Sequence, residues 1–349
     1  MKKSQLILAA ALVALAACSK ENINFKADAL QDEIGFNVVN KKATRANGEI
    51  ISGTTYATDN TFKVWGWQSP AADFSEFSTD DASNVMSGLT ISYCGGPESR
   101  ADAWRNADHY YYWPFTGKIS FLAVHPSEVA PTTTGWDATN KKPQATIADY
   151  TIAAGNKTVD LMLASNEGAR RTDPLPLVFK HALSQIQFRV RTNDDYSADA
   201  TFKVNSITIN KIDLSGDLAY ANDAFNWSDN AAQTENWPYY ATTATVAYAA
   251  TDAAAALYGD ANVMIPQAAF ADDPATTEIV EGTTLTINYT LEQNGSAPFT
   301  GDITVAAGQE WLAGKKYIYT LNFKLQEILF APEATDWVDV EVATINITD

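Results

Sequence analysis

Cysteine and histidine are scarce in this chain, with two and three copies among 349 residues. That scarcity excludes a disulfide-stapled scaffold and leaves few thiolate or imidazole ligands for a metal. His109, His125 and His181 lie far apart in sequence, and none has a ligand-spaced neighbour. Positive charge is also in deficit: 24 Lys and Arg stand against 42 Asp and Glu, a formal net charge of -18. An acidic surface repels phosphate backbones, so nucleic acid is not an expected partner. After the N-terminal run, no apolar stretch approaches the roughly 20 residues of a spanning helix. Helical periodicity is nearly missing as well. Its best short candidates are the Ala-rich stretch from Asp252 to Leu257 and the region from Asp102 to Tyr110.

Catalytic signatures are missing in the same way. There is no phosphate-binding glycine loop, no Gly-x-Ser-x-Gly and no His-Glu-x-x-His. Asp80-Asp81 and Asp194-Asp195 lack the spacing of a calcium loop and read as solvated turns. His181, in Phe179-Lys180-His181 at the entry to a strand, suits packing or hydrogen bonding at a domain interface. No catalytic residue, cofactor or metal site is expected, and the chain does not read as an enzyme.

What the chain does have begins at its N-terminus. Lys2 and Lys3 form a positive region, Leu6 to Ala17 an apolar one, and Leu15-Ala16-Ala17-Cys18 closes the segment. Small residues before a cysteine suit a lipoprotein signal peptidase, which cuts just before an acylated thiol. Residues 1–17 are therefore expected to be a lipoprotein signal peptide, with Cys18 as the lipid attachment site on an exported, tethered chain. Losing Lys2 and Lys3 would take the net charge to -20 (-18 minus 2). With Cys18 acylated, Cys94 is the single remaining thiol, so no intramolecular disulfide can form.

Strand patterns fill the remainder. Leu285, Ile287, Tyr289 and Leu291 alternate with Thr284, Thr286, Asn288 and Thr290, and Tyr317, Tyr319, Leu321, Phe323 and Leu325 repeat the period of two. Similar patterns occur at Phe62-Val64, Ile119-Phe121, Ile186-Phe188-Val190 and through Val204, Ile207 and Ile209. Gly, Pro, Asn and Asp clusters punctuate them. One apolar and one polar face predicts half-buried antiparallel strands, hence an all-β protein of sandwiches. The length suggests two domains. Arg171-Thr172-Asp173-Pro174-Leu175-Pro176 is the expected boundary, giving domains over 46–173 and 174–349, because two close prolines do not suit a central sheet ladder. The aromatic clusters Tyr110-Tyr111-Tyr112-Trp113-Pro114, Trp65-Gly66-Trp67 and Trp237-Pro238-Tyr239-Tyr240 divide between the two faces of a strand. About half of each should fill a core, leaving the rest for edges, an interface or a glycan-binding surface.

Both terminal segments are unusual. Ile34, Phe36 and Val38 alternate as a strand just before Lys41-Lys42-Ala43-Thr44-Arg45-Ala46-Asn47-Gly48, an exposed, basic stretch open to an Arg-accepting protease. At the other end Val338, Val340 and Val342 alternate with acidic residues, and Ile345 and Ile347 continue the pattern after a shift of register. Ala331-Pro332-Glu333 before them is a candidate hinge. Such a strand either lies on the edge of its own sheet or leaves to complete the sheet of another subunit.

The order of several short motifs carries a resemblance. They are the segment ending at Cys18, Thr44-Arg45-Ala46, Tyr112-Trp113-Pro114 followed by Ile119-Ser120-Phe121, Asp160-Leu161-Met162, and Phe179-Lys180-His181-Ala182-Leu183-Ser184-Gln185. Met264-Ile265-Pro266-Gln267 and Trp311-Leu312-Ala313-Gly314-Lys315-Lys316-Tyr317 complete the set. With these the chain resembles the fimbrillin family, subunits of the protease-assembled (type V) pili of some Gram-negative anaerobes. The resemblance implies two tandem transthyretin-like antiparallel β-sandwich domains behind an N-terminal segment, residues 18–45 here. It implies an outer-membrane lipoprotein cut by an Arg-specific protease between Arg45 and Ala46, which would remove Ile34, Phe36 and Val38 with the lipid. It also implies that the groove so opened takes a donor strand from a neighbouring pilus subunit, with Val338, Val340, Val342, Ile345 and Ile347 as the candidate plugs. The alternative is a surface lipoprotein that never polymerises and binds a host or bacterial receptor or a glycan.

Overall fold

The computed structural model describes residues 32–40, 56–71, 73–74, 84–95, 102–155, 157–196, 198–229, 235–239, 241–267, 282–308, 310–324 and 328–336. Among them the chain forms twenty strands and no α-helix, so the fold is all-β. The first strands are β1 (Phe36–Asn40), β2 (Phe62–Ser69), β3 (Asn84–Cys94), β4 (Ala103–Arg105) and β5 (Lys118–His125). A hairpin of β6 (Thr133–Asp137) and β7 (Lys142–Thr151) precedes β8 (Met162–Ala169) and β9 (Leu175–His181). Then come β10 (Ser184–Thr192), β11 (Ala200–Ile212), β12 (Ser215–Ala221), β13 (Ala224–Asp229), β14 (Glu235–Tyr239) and β15 (Ala244–Thr245). The last are β16 (Ala256–Met264), β17 (Thr284–Gln293), β18 (Phe299–Ala306), β19 (Lys315–Phe323) and β20 (Ile328–Asp336).

Seven strands close a barrel in the order β1-β4-β3-β2-β5-β8-β9. Its interior is apolar: Phe62 and Val64 of β2, Phe121 and Ala123 of β5, Met162 and Ala164 of β8, and Leu177 and Phe179 of β9 pack around Phe36. The residues between them point the other way. Trp65, Trp67, Leu122, Val124 and Leu163 leave the barrel's outer face and join a second cluster with Phe188, Phe202, Tyr319 and Phe323. β5 is therefore covered on both faces, which explains the unbroken burial of Ile119–Val124, Ser120 included, and departs from the expected half-polar strand. β11 keeps the expected alternation in two phases, burying Ala200, Phe202 and Val204 and, after a bulge, Ile207 and Ile209.

The second cluster is enclosed by three sheets: β16-β10-β19-β20, β14-β11-β17-β18 with β15 beside β11, and β13-β12-β7-β6. Three sequence expectations need correction. The expected boundary at 173/174 does not match sheet membership, because β9 lies beyond it yet pairs with β1 and β8 in the barrel. The β6–β7 hairpin, from before that boundary, also pairs with β12 from after it. Second, Asp102–Tyr110 is not helical: Ala103, Trp104 and Arg105 are all buried, and a three-residue strand inserts them beside β3. The Ala-rich stretch gives only a 3-10 turn, Asp252–Ala254, capped by the Thr251 hydroxyl. Third, Ala331-Pro332-Glu333 is no hinge within the described residues. Pro332 sits mid-way along β20 opposite Tyr319, and an edge strand tolerates it because one flank of its backbone needs no ladder partner.

Candidate functional site

The seam at β1 is where the sequence signals and the geometry meet. β1 runs parallel to β9 from Phe36↔Leu175 to Asn40↔Phe179 and meets β4 antiparallel at a single register position, Phe36↔Trp104. The alternating apolar residues of β1 and of the segment just before it plug the barrel: Ile34, Phe36 and Val38 are 3%, 0% and 7% exposed. The Phe36 ring stands edge-on to Phe121 with centroids 5.1 Å apart. Burying a phenylalanine and two aliphatic chains contributes about 1.5–3 kcal/mol each. Backbone bonds extend the seam, with the Leu175 N–H donating to the Gly35 carbonyl at 2.8 Å and the Ile34 N–H to that of Tyr111 at 2.7 Å.

Charged groups hold the start of this segment. Arg170 donates to both Asp32 carboxylate oxygens, through Nε at 3.0 Å and through Nη2. The Arg105 Nε lies 3.5 Å from the Glu33 carboxylate, with side-chain exposures of only 6% and 1%. The chain is glycine at position 35 for a local reason. A Cβ there would stand 3.1 Å from three atoms of the Arg105 guanidinium.

A polar group occupies the barrel end toward which β1 runs. His125, Met162 and His181 share one rung of β5, β8 and β9. Tyr56 shares a hydrogen bond of 2.6 Å with His125 Nδ1 and stacks on Phe179 at 5.6 Å. His181 Nδ1 lies 2.5 Å from the Asp160 carboxylate. Burial lowers the His125 pKa, opposed by its bond with the Thr61 carbonyl and by Asp160, and burial also pushes the Tyr56 hydroxyl up. Two of the three histidines are thus brought together with a carboxylate, but His125, His181 and Asp160 are 2%, 4% and 0% exposed. They form an interior hydrogen-bonded group, out of reach of a substrate. His181 lies at the end of its strand rather than the entry. His109 is apart and exposed, its backbone N–H bonded to the Asn106 side chain at 2.8 Å.

The aromatic clusters divide between core and surface. Trp65, Trp67, Trp113, Trp237 and Tyr239 are buried. Tyr110 and Tyr112 are exposed with nearly parallel rings 6.4 Å apart, and Phe115 is exposed with Arg170 over its face at 4.9 Å. Cys94 is a free thiol of intermediate exposure at the end of β3. Cys18, Arg45, Ala46, Val338, Val340, Val342, Ile345 and Ile347 lie outside the described residues. Among the described residues no helix is long and apolar enough to cross a membrane.

Sequence reasoning missed the Glu33–Arg105 pair and the Tyr56–His125 bond. Neither leaves a local signal, since each joins residues from distant segments. The seam is an apolar slot lined by backbone groups of β9 and β4, filled by a strand that precedes a basic, Arg-containing stretch. A profile described as fimbrillin-like matches residues 44–337. The chain belongs to the fimbrillin-like family.

Solved structures agree. A fimbrial protein from Bacteroides vulgatus is 17% identical with a TM-score of 0.61, over 88% of this chain and all (100%) of that one. A candidate cell adhesion protein from Bacteroides ovatus is 13% identical with a TM-score of 0.51, over 89% of this chain and 99% of that one. At these identities the likeness establishes the fold. No curated protein matches the chain in sequence. As a member of the fimbrillin-like family, the chain is a fimbrial protein of the cell surface, and the family points to association with other pilus subunits.

Proposed function

We propose that this protein is a pilus subunit, structural or accessory, exported as an outer-membrane lipoprotein through Cys18 and assembled by strand replacement at the β1 seam. An Arg-specific protease cuts between Arg45 and Ala46 and releases β1 with the lipid. The observation that carries the reading is the position of β1. It fills the slot between β9 and β4 with Ile34, Phe36 and Val38, yet the chain preceding Arg45 supplies all of it. Its loss uncovers apolar surface and the ladder groups of β9 together, and an incoming strand restores both. The family match beginning at residue 44 fits a mature chain that starts near Ala46. Val338, Val340 and Val342, with Ile345 and Ile347, are the donor plugs. Each valine contributes on the order of 1.5 kcal/mol, so several plugs with a full ladder give a slowly dissociating polymer.

N-terminal sequencing of protein shaved from intact cells tests the reading. Ala46 as the first residue is expected, and Arg45→Ala should leave a lipidated monomer without detergent-resistant ladders on gels. Ladders that persist unchanged in Arg45→Ala would overturn it. The second reading, a non-polymerising adhesin for a glycan or host receptor, draws on the paired exposed rings of Tyr110 and Tyr112. It requires wild-type protein to stay monomeric after cutting and to lose glycan retention in Tyr110→Ala/Tyr112→Ala.

A further inference from the structure

We propose that Arg105 is the selectivity residue of the seam and recognises a carboxylate on the incoming strand, a role that deepens the strand-replacement reading and rests on it. Arg105 belongs to β4, which stays with the chain after cutting at Arg45, whereas its partner Glu33 departs with β1. The pair lies one residue out of step with the plugs: Trp104 packs in the barrel core, and strand alternation turns the next side chain, Arg105, to the other face. The guanidinium also lies across Gly35, so it borders the backbone path of whichever strand occupies the slot. Departure of Glu33 takes one carboxylate away from a nearly buried guanidinium, and an occupant that offers valines alone does not replace it. An occupant that brings an acid at the same level restores the pair.

Charge complementarity names the occupant. In the C-terminal ribbon of a second copy, Asp339 and Glu341 precede Val340 and Val342 by one residue, as Glu33 precedes Ile34. The valines would then enter the barrel while one carboxylate meets Arg105. The same geometry disfavours basic or neutral ribbons of equal hydrophobicity, which makes Arg105 a filter on partner choice rather than a source of bulk affinity.

The test uses full-length protein cut at Arg45, carrying Val340→Asp and Val342→Asp so that its own tail cannot donate. Its probes are synthetic peptides of residues 336–349: the natural sequence, one with Asp339→Lys and Glu341→Lys, and one with Val340→Asp and Val342→Asp. The natural peptide should bind at least about tenfold more tightly than the charge-reversed one, on the scale typical of a desolvated charge contact. An acceptor with Arg105→Glu, paired with Glu33→Lys to keep the uncut barrel's ion pair, should invert that preference. Equal binding of natural and charge-reversed peptides overturns the role of Arg105 while leaving strand replacement standing. If the valine-disrupted peptide binds as well as the natural one, or no peptide binds, strand replacement itself fails and this inference with it.

Discussion

The barrel and the region that follows it are built alike at one point and differ in how fully that point is held. Each pairs its first strand in parallel with a late one: β1 with β9, and β10 with β19. In the second region β10 is secured on both sides, by eight parallel rungs to β19 and six antiparallel ones to β16. In the barrel β1 has five rungs to β9 but only one to β4. The chain through β9, Ala182 and Leu183 leads directly into β10, whereas β1 is joined to the barrel only through the stretch containing Arg45. One first strand is bound by continuity and by two full flanks. The other depends on its plugs, one flank, and the backbone bonds and two ion pairs at its start. The strand removal proposed above requires a strand that is stable while present and separable once cut, and the lopsided pairing of β1 fits both requirements.

The sharpest way to break the comparison is to weaken each first strand equally. Phe36 and Phe188 are both 0% exposed, and Phe188 stacks on Tyr319 at 5.5 Å. Either substitution to alanine should cost about 3–5 kcal/mol in the uncut protein. After cutting, Phe188→Ala should retain its full penalty, and Phe36→Ala should be indistinguishable from wild type. Urea midpoints of cut and uncut protein measure this. An unchanged midpoint for uncut Phe36→Ala would mean that β1 contributes nothing to the barrel, and the comparison would collapse.

These two strands were legible to different degrees in the sequence. Ile34, Phe36 and Val38 announce a strand because they alternate over a short span, as do Leu285 and Ile287 on β17. The parallel partner of β1 was not legible, because period-two patterns carry no information about which distant strand lies alongside. β4 was misread as helical for a related reason: three buried residues are too few to display a period. β5 looked like a half-polar strand at Ile119-Phe121, but its outer face is covered by the second core, which only the tertiary arrangement reveals. The pairing of Glu33 with Arg105 was equally silent, being one combination among many acidic and basic residues.

A smaller effect sharpens what remains in common after cutting. His125 and Tyr56 lie on the C-terminal side of Arg45, so both would stay with the barrel after the proposed cut. Burial holds the folded-state pKa of His125 below its ordinary 6.5, so the folded protein binds this proton less readily than the unfolded chain. The stability it contributes is complete above about pH 6.5 and is lost as pH falls through the lowered folded value. Cut and uncut proteins should show the same decline, and His125→Gln should flatten it in both. Tyr56→Phe removes the hydroxyl bonded to His125 and should cost about 1 kcal/mol at neutral pH. A decline confined to the uncut form would place the proton sensitivity in β1 instead.

The smallest expected effect concerns the joint between the two regions. Asp223 sits in the two-residue turn between β12 and β13, where Asn222 and Asp223 have φ of 51° and 61°. Its carboxylate accepts from Lys142 of β7, from Ser165 of β8 at 2.6 Å and from Tyr220 of β12 at 3.0 Å, so it ties the barrel wall to the outer sheet. Partial burial pushes its pKa up, but these hydrogen bonds outweigh burial and hold it down at about 2. Its contribution is therefore present above the ordinary 3.8 and lost as pH falls toward about 2. Asparagine tolerates the left-handed turn, so Asp223→Asn removes the charge without adding backbone strain. The expected cost is about 0.5–1 kcal/mol at pH 7, since the group is partly exposed. Wild type and variant should converge near pH 2, in cut and uncut protein alike, because nothing at this joint involves β1. A gap that persists in acid would assign the role of Asp223 to the turn itself, and a gap that appears only after cutting would mean that the joint compensates for the missing strand.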